Sequence, residues 1–314
     1  MADVTSPLPT IVALPEMTAE RTAHVARLLQ GAVDLHCHSG PAAMPRILGH
    51  TEAMQAAEEA GFDVLLYKDH YYPGMNHVAV LNDVFPDKKI RLYSGVALNN
   101  ALGGINPYAV EHCVALGGQI VWMPTFSAKN HIEAYAAKSF PKTARPMMPP
   151  VPLSGVDANG RLTDDLLKCL DLIAGGNIIL AGGHLPVTEQ LLMFEEAKKR
   201  GVQKMMVNHP TYLIGCSDDD IRALVAMGVY MEHSICMFIP SRARQHITAD
   251  LVHLIDLAGP EMTILGSDLG LTQAPKPVDG FRMIVSDLID AGVPDTVIRQ
   301  VVGGSAKALL AKGV

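Results

Sequence analysis

Read for hydrophobic and polar positions, the chain alternates between two rhythms. Short runs rich in Val, Ile, Leu and Tyr recur eight times: AVDLHCH (32–38), FDVLLYKDH (62–70), IRLYSGVAL (90–98), QIVWMPT (119–125), NIILAGGH (177–184), KMMVNHP (204–210), GVYMEHS (228–234) and TILGSD (263–268). Apolar runs of this length, bounded by turn residues, have the pattern of buried strands, and each is followed by a stretch that reads as helix. The helices carry their own punctuation. In HTEAMQAAEEAG (50–61), Thr51 is the expected N-cap and Gly61 the stop. In 186–201, Pro186 and Glu189 open a helix that Lys198, Lys199 and Arg200 close before Gly201, as the helix dipole favours. In 217–228, Ser217 and three aspartates start a helix that Gly228 ends. Ahead of the first strand, 17–31 reads as a helix behind a Pro-marked leader; at the other end, 294–314 reads as two short helices.

Strands alternating with helices predict parallel pairing through right-handed crossovers, and eight is the number that closes a barrel. The fold class expected is therefore α/β, a (β/α)8 TIM barrel with an N-terminal helix, its last two helices packing across the barrel end. The 314 residues form one domain, 1–31 being leader and helix. One interval breaks the rhythm. Residues 127–162 separate the fourth strand from its helix, with a centre (Pro141, Pro146, Pro149, Pro150, Pro152) that cannot be helix interior. Within it VDANGRL has the form of a hairpin around Asn159-Gly160. Such an insertion reads either as a lid over the active face or as a surface excursion.

Composition narrows the partners. A hydrophobic content of 49 % with 18 % charged residues supplies a large core, while a formal net charge of -7, with both signs mixed along the chain, leaves no basic stripe for phosphates. Nucleic acid is not an expected partner, and no run approaches the ~18 apolar residues of a membrane span. The N-terminus lacks the form of a secretory signal, and five scattered cysteines, with no CxxC pair, read as reduced thiols of a cytoplasmic protein. No sequence feature fixes the oligomeric state; homo-oligomers stay open.

In a barrel of this kind catalytic groups come from the C-terminal strand ends, which share one face. His36 and His38 close the first run, Lys68, Asp69 and His70 the second, His184 the fifth, His209 the sixth, Glu232 and His233 the seventh, and Asp268 the eighth. So many imidazoles are awkward to bury for stability alone, and convergence on one cation resolves the difficulty. His36 and His38, two residues apart on a strand, project to one side and offer half of a metal site. His184, His209 and Asp268 join them as candidate ligands around a divalent ion, zinc first, with manganese or iron as alternatives; His184 and His209 also read individually as satisfied core histidines. Asp268 reads as ligand, general base or N-cap. His70 could bind a second metal, touch substrate or orient a ligand; Lys68 and Glu232 could serve the site or form a structural ion pair. Arg145, Arg242, Arg244 and Lys276 lie on segments leaving the rim and could hold an anionic substrate. His131 lies in the insertion; the helical histidines read as solvated or packed.

Taken together, DLHCH, AGGH, VNHP and GSD resemble the amidohydrolase superfamily of metal-dependent hydrolases over about residues 33–269, in one of its less characterised branches. The resemblance implies the same five ligands. In two-metal members a carboxylated Lys or a Glu from the fourth strand bridges the ions; VWMPTFS offers neither, which favours one ion over two, the alternative being bridging by Lys68 or another group. YKDH (67–70) also resembles the polymerase-and-histidinol-phosphatase phosphoesterases, but VALNN and SDLG stand where that family carries a Glu and an Asp-x-His. The function expected is metal-dependent hydrolysis of an amide, lactam, lactone or ester of a small molecule. Asp268 would be the acid–base group, and His209 or His233 would polarise the carbonyl. The alternatives are a phosphoesterase, a metal-dependent decarboxylase or a non-catalytic binding barrel.

Overall fold

The structure, a computed structural model, describes residues 11–136 and 143–313. The start of the leader and Pro141 of the insertion lie outside the described residues. Each expected run holds a strand: β1 (Val33–Cys37), β2 (Val64–Tyr67), β3 (Arg91–Ala97), β4 (Ile120–Trp122), β5 (Ile179–Ala181), β6 (Met205–Asn208), β7 (Tyr230–Ser234) and β8 (Thr263–Gly266). They form one sheet in sequence order, every pair parallel. β8 returns to β1 just above its own end, where Asp268 N–H donates to the His36 carbonyl (2.7 Å) and His38 N–H to that of Leu269 (2.9 Å). These bonds make the molecule a (β/α)8 barrel.

The seam has a second fastening. Asp34, fully buried, uses Oδ1 to accept the N–H groups of His36 (2.9 Å) and Ser267 (3.0 Å). A side-chain oxygen thus satisfies one backbone donor on each side of the join, which buried N–H groups require.

Inside, Val33, Leu35, Val64, Leu66, Trp122, Ala181, Met206 and Ile264 fill the barrel, and Ala306 and Leu309 plug its lower end. Alternate strand residues such as Leu65, Val121, Val207 and Leu265 belong to the outer core beneath the helices. β1 departs from strict alternation. Its register against β2 shifts between Asp34 and Cys37, one extra residue being accommodated as in a bulge. Leu35 and the two histidines after it can therefore all serve the interior, while Cys37 joins the outer core.

The helices are α1 (Ala19–Leu28), α2 (His50–Glu59), α3 (Met75–Val84), α4 (Pro107–Ala115), α5 (Lys129–Tyr135), α6 (Asp164–Gly176), α7 (Val187–Lys199), α8 (Asp218–Ala226), α9 (Thr248–Ala258), α10 (Pro277–Asp290), α11 (Asp295–Arg299) and α12 (Ser305–Ala311). Ser217 caps α8 as expected, with Asp220 reaching back to its N–H (2.9 Å). α2 differs from expectation. It starts at His50 with Gly49, two residues before Thr51, at the N-cap; Glu52 takes the Gly49 N–H (2.7 Å), the acidic half of a capping box without the hydroxyl half. The final pair, α11 and α12, is joined by a π-helical turn, Gln300–Gly304, and α12 plugs the end of the barrel opposite the strand C-termini.

The insertion begins with a helix, α5, ahead of the Pro-rich centre. Ala128, just before α5, bridges Leu153, and the hairpin around Asn159-Gly160 forms through a Val156–Leu162 bridge, with Gly160 in the left-handed region (φ 73°). Among the described residues no helix is long and apolar enough to cross a membrane, and all five cysteines are free.

Removing the seam carboxylate tests this account of closure. Asp34→Ala leaves two buried N–H groups without an acceptor, at about 1–3 kcal/mol each, so the urea midpoint should fall steeply. Asp34→Asn, which keeps an oxygen in place, should recover most of the loss; equal midpoints for the two variants would show that the seam does not depend on that oxygen.

Candidate active site

Above the apolar layers the strand ends carry a tier of polar side chains, nearly all buried. Lys68 from β2, Asn208 from β6, Glu232 from β7 and the β1 histidines meet there with Asp268. Glu232 Oε2 lies 2.9 Å from His36 Nδ1 and also accepts the Asn208 amide (2.7 Å), while Ser234 Oγ lies 3.2 Å from Oε1. The Lys68 carbonyl lies 2.8 Å from His38 Nδ1. An acceptor at each Nδ1 places a proton there and leaves each Nε2 as the free end of its ring. Both ends point at one atom. His36 Nε2 and His38 Nε2 are each 3.1 Å from Asp268 Oδ1. The ligand atoms of these three residues lie within 4.8 Å of one another, a grouping able to hold a metal ion.

Electrostatics follows from burial. Burial disfavours a charge on His36, but Asp268 and Glu232 outweigh it and raise the imidazole to about 9. Burial, with Arg46 nearby, drives His38 down to about 3 despite Asp268. Burial alone would raise Asp268; His36 and His38 hold it well below the ordinary carboxylate range. Burial lowers His209 and His233 to about 4 and takes His70 and His184 well below the usual value. The Lys68 amine, 3.0 Å from His36 Nε2, is drawn down to about 8 by burial.

A second group of rings adjoins the first. His209 lies between His36 (ring centroids 6.1 Å) and His184 (5.0 Å), and the His184 ring stacks on His131 with their Nδ1 atoms 2.9 Å apart. His70 stacks on Phe126 (3.7 Å) and lies 2.9 Å from Thr125 Oγ1. Asn99, at the end of β3, donates to that hydroxyl and to the His70 carbonyl and accepts from Thr125 and Ser127 N–H, tying three strand ends together. Two backbones here are left-handed, His209 (φ 35°) and Asp268 (φ 48°), a conformation that clusters at functional sites.

The two groups open into a cavity of about 190 Å³. His38, Lys68, His70, His184, His209 and Asp268 face it from the strand ends, and His131, Tyr135, Tyr212 and Arg242 close its sides. The phenols of Tyr135 and Tyr212 are hydrogen-bonded to each other, which joins α5 to the loop after β6.

Of the residues singled out in the sequence, the structure brings His36, His38 and Asp268 within ligand range, and sets His184 and His209 beside them as a neighbouring pair. Glu232 pairs with His36, and Lys68 turns its amine to the same ring. His233 is outside the cavity lining: strand alternation sends it to the outer side, edge-on to Phe238 (6.3 Å). Arg145 is exposed and Lys276 caps α10; neither lines the cavity, whereas Arg242 and Arg244 do. His131, Tyr135, Tyr212 and Asn99 were not singled out. Each sits on the segment that follows a strand end, and applying the rim rule to whole βα segments would have found them.

An eight-stranded parallel barrel whose histidine-bearing rim surrounds one cavity defines the class: a (β/α)8 barrel with an enzyme-like site. Residues 31–232 match the model of a family described as a family of unknown function (DUF6282), and the chain belongs to that family. No curated protein matches it. Among solved structures, the chain is similar to an amidohydrolase from Pseudomonas aeruginosa (TM-score 0.64, 12 % identity, 92 % of this chain and 98 % of that one). It is also similar to the probable dipeptidase PvdM from Pseudomonas aeruginosa (TM-score 0.67, 10 % identity, 94 % and 99 %). A third likeness is to 2,6-dihydroxybenzoate decarboxylase (TM-score 0.51, 12 % identity, 90 % and 99 %). At these identities the likeness is one of fold.

Packing at the site gives a direct test. A Cβ at Gly266 would lie 2.6 Å from Glu232 Oε1 and 2.9 Å from His36 Cβ, whereas at Gly175 in α6 nothing stands within 4 Å. Gly266→Ala should lose about 1–3 kcal/mol by overpacking, and Gly175→Ala should be neutral or stabilising. Thermal unfolding of both variants checks this, and an unchanged Gly266→Ala would mean that the Glu232–His36 pair is loosely held.

Proposed function

We propose that this chain is a metal-dependent hydrolase that cleaves an amide, lactam, lactone or ester bond of a small molecule. The observation that carries the reading is a convergence of ligand atoms. His36 Nε2, His38 Nε2 and Asp268 Oδ1 meet, and the 3.1 Å separations of Asp268 from each ring are close to the ~3.3 Å edge of a tetrahedron with bonds of about 2.0 Å, so that a cation there would replace the proton on His36. Glu232 behind His36 and the Lys68 carbonyl behind His38 are the kind of supporting acceptors that ligating imidazoles have. The donor set therefore fits a divalent cation of the zinc type, held by His36, His38 and Asp268, with His184 and His209 adjacent.

A bound divalent ion supplies Lewis acidity and brings the pKa of water to around 7. The chain does the rest. Asp268 alone of the cluster is partly exposed (20 % of its side chain), and its Oδ2 is the atom to take a proton from attacking water and return it to the leaving group. His209, kept neutral by burial, lines the cavity and can donate a hydrogen bond to a developing oxyanion, as can the Lys68 amine. The α5 segment, linked through Tyr135 to Tyr212, shields the reacting groups from bulk water.

Chelation should abolish turnover in a screen of cyclic amides, lactones and esters, and zinc or manganese should restore it; indifference to chelation together with no metal by elemental analysis would remove the proposal. Asp268→Asn should remain folded while turnover falls by roughly 100-fold or more. Full activity in that variant would refute the proton-transfer role. Glu232→Gln should weaken metal affinity by about 10- to 100-fold, read by chelator competition, with circular dichroism unchanged.

A further inference from the structure

We infer that the substrate carries a carboxylate and that Arg242, assisted by Arg244, receives it at the cavity mouth. This names the substrate class of the proposed hydrolase and rests on that reading for where the reacting bond lies. The charge around the cavity is lopsided. Lys68, Arg242 and Arg244 line it against a single acidic residue, Asp268, in a chain whose net charge is -7. Among the described residues, neither arginine has a carboxylate within ion-pair distance, although Arg21, Arg200, Arg222 and Arg282 all do. Arg242 stands beyond ion-pair distance of any described carboxylate, Asp287 acts on Arg244 only from farther off, and two such exposed cations at the mouth of a concave site in an acidic protein favour an incoming anion.

The segment that presents them is held in place. Arg242 N–H donates to the Gln273 carbonyl (2.9 Å), Ala243 N–H to Ser241 Oγ (3.0 Å), and Arg244 N–H to the Ser241 carbonyl (3.2 Å). Gln245 and His246 N–H both donate to the Met237 carbonyl (3.0 Å each). Arg242 is thus carried on a backbone already ordered, which lowers the entropy lost on binding. Its guanidinium fork matches a carboxylate through two parallel hydrogen bonds. The volume of about 190 Å³ is little more than the roughly 150 Å³ that takes up benzene, so the part of the substrate that enters the cavity is about one ring in size. Across so short a span a phosphate, with nearly two charges, would be repelled by Asp268 more than a carboxylate is.

The test is binding, measured by calorimetry on the metal-loaded protein. Matched acid and amide pairs serve as probes (benzoate and benzamide, N-acetylglycinate and N-acetylglycinamide, lactate and lactamide), with inorganic phosphate as a further arm. At least one acid should bind about tenfold or more tightly than its amide. Arg242→Gln should erase that preference without moving the unliganded melting temperature, and Arg242→Lys should keep part of it. Three results overturn the inference: no acid binding better than its amide, a preference that survives in Arg242→Gln, or phosphate binding more tightly than every carboxylate. A preference surviving in that variant would place the anion on the histidine and lysine cluster instead. Because binding is read without turnover, the hydrolase reading fails separately, by absence of hydrolysis or by release of carbon dioxide in its place.

Discussion

The site depends on how the barrel closes. A sheet of eight parallel strands has two edges until the last strand meets the first, and here they meet at the chemistry: the backbone bonds from Asp268 to His36 and from His38 to Leu269 are the seam. The same residues that complete the hydrogen-bond ladder carry the converging side chains. Asp34 fastens the join one step lower, and the bulge in β1 lets Leu35 fill the barrel while His36, next along, serves the rim. Closure and site geometry are therefore one constraint, and loosening the seam would move the ligand atoms as well as the strands.

Burial then sets the protonation pattern. His38, His70, His184 and His209 lie where desolvation opposes the imidazolium, so their nitrogens stay available as lone-pair donors. His36 is the exception, since carboxylates flank both its nitrogens. Asp268 Oδ1 lies 3.1 Å from both Nε2 atoms and is held there by positive charge, which the proton on the raised His36 supplies. The left-handed backbones of His209 and Asp268 fit the same picture, conformational strain concentrated at positions whose side-chain aim matters.

Much of this was legible in the sequence, because parallel strands buried on both faces read as apolar runs and the polar residues ending them fall on one rim. Strand count and order follow from that, and the five expected ligands contain the three, His36, His38 and Asp268, that the fold gathers within ligand range. What stayed hidden depended on side-chain direction or on contact at a distance. Alternation assigns Glu232 inward and His233 outward, yet adjacent letters look equivalent until β7 has neighbours. His131 sits in a short helix whose sequence has no rim signature, and only folding puts it against His184. The N-cap at Gly49 was obscured because glycine has no capping group and Glu52 does the work. Arg145 and Arg242 were indistinguishable as charges on rim segments; the pinned loop after β7 separates them.

The division of labour between segments has a consequence for specificity. The converging side chains come from β1 and β8, next to the seam, and cannot shift without opening the barrel. The side walls come from α5 and from the loops after β6 and β7, which join one another through the pair of Tyr135 and Tyr212 and the contact between Thr211 Oγ1 and His246 Nε2 (3.2 Å). These walls hold no strand together. Substitution there changes the shape and charge of the cavity while leaving the ladder intact, so the cavity can vary over a fixed group of converging side chains. That separation accounts for how barrels sharing little beyond their fold can act on unrelated small molecules: what closes the sheet is conserved by physics, and what meets the substrate is not.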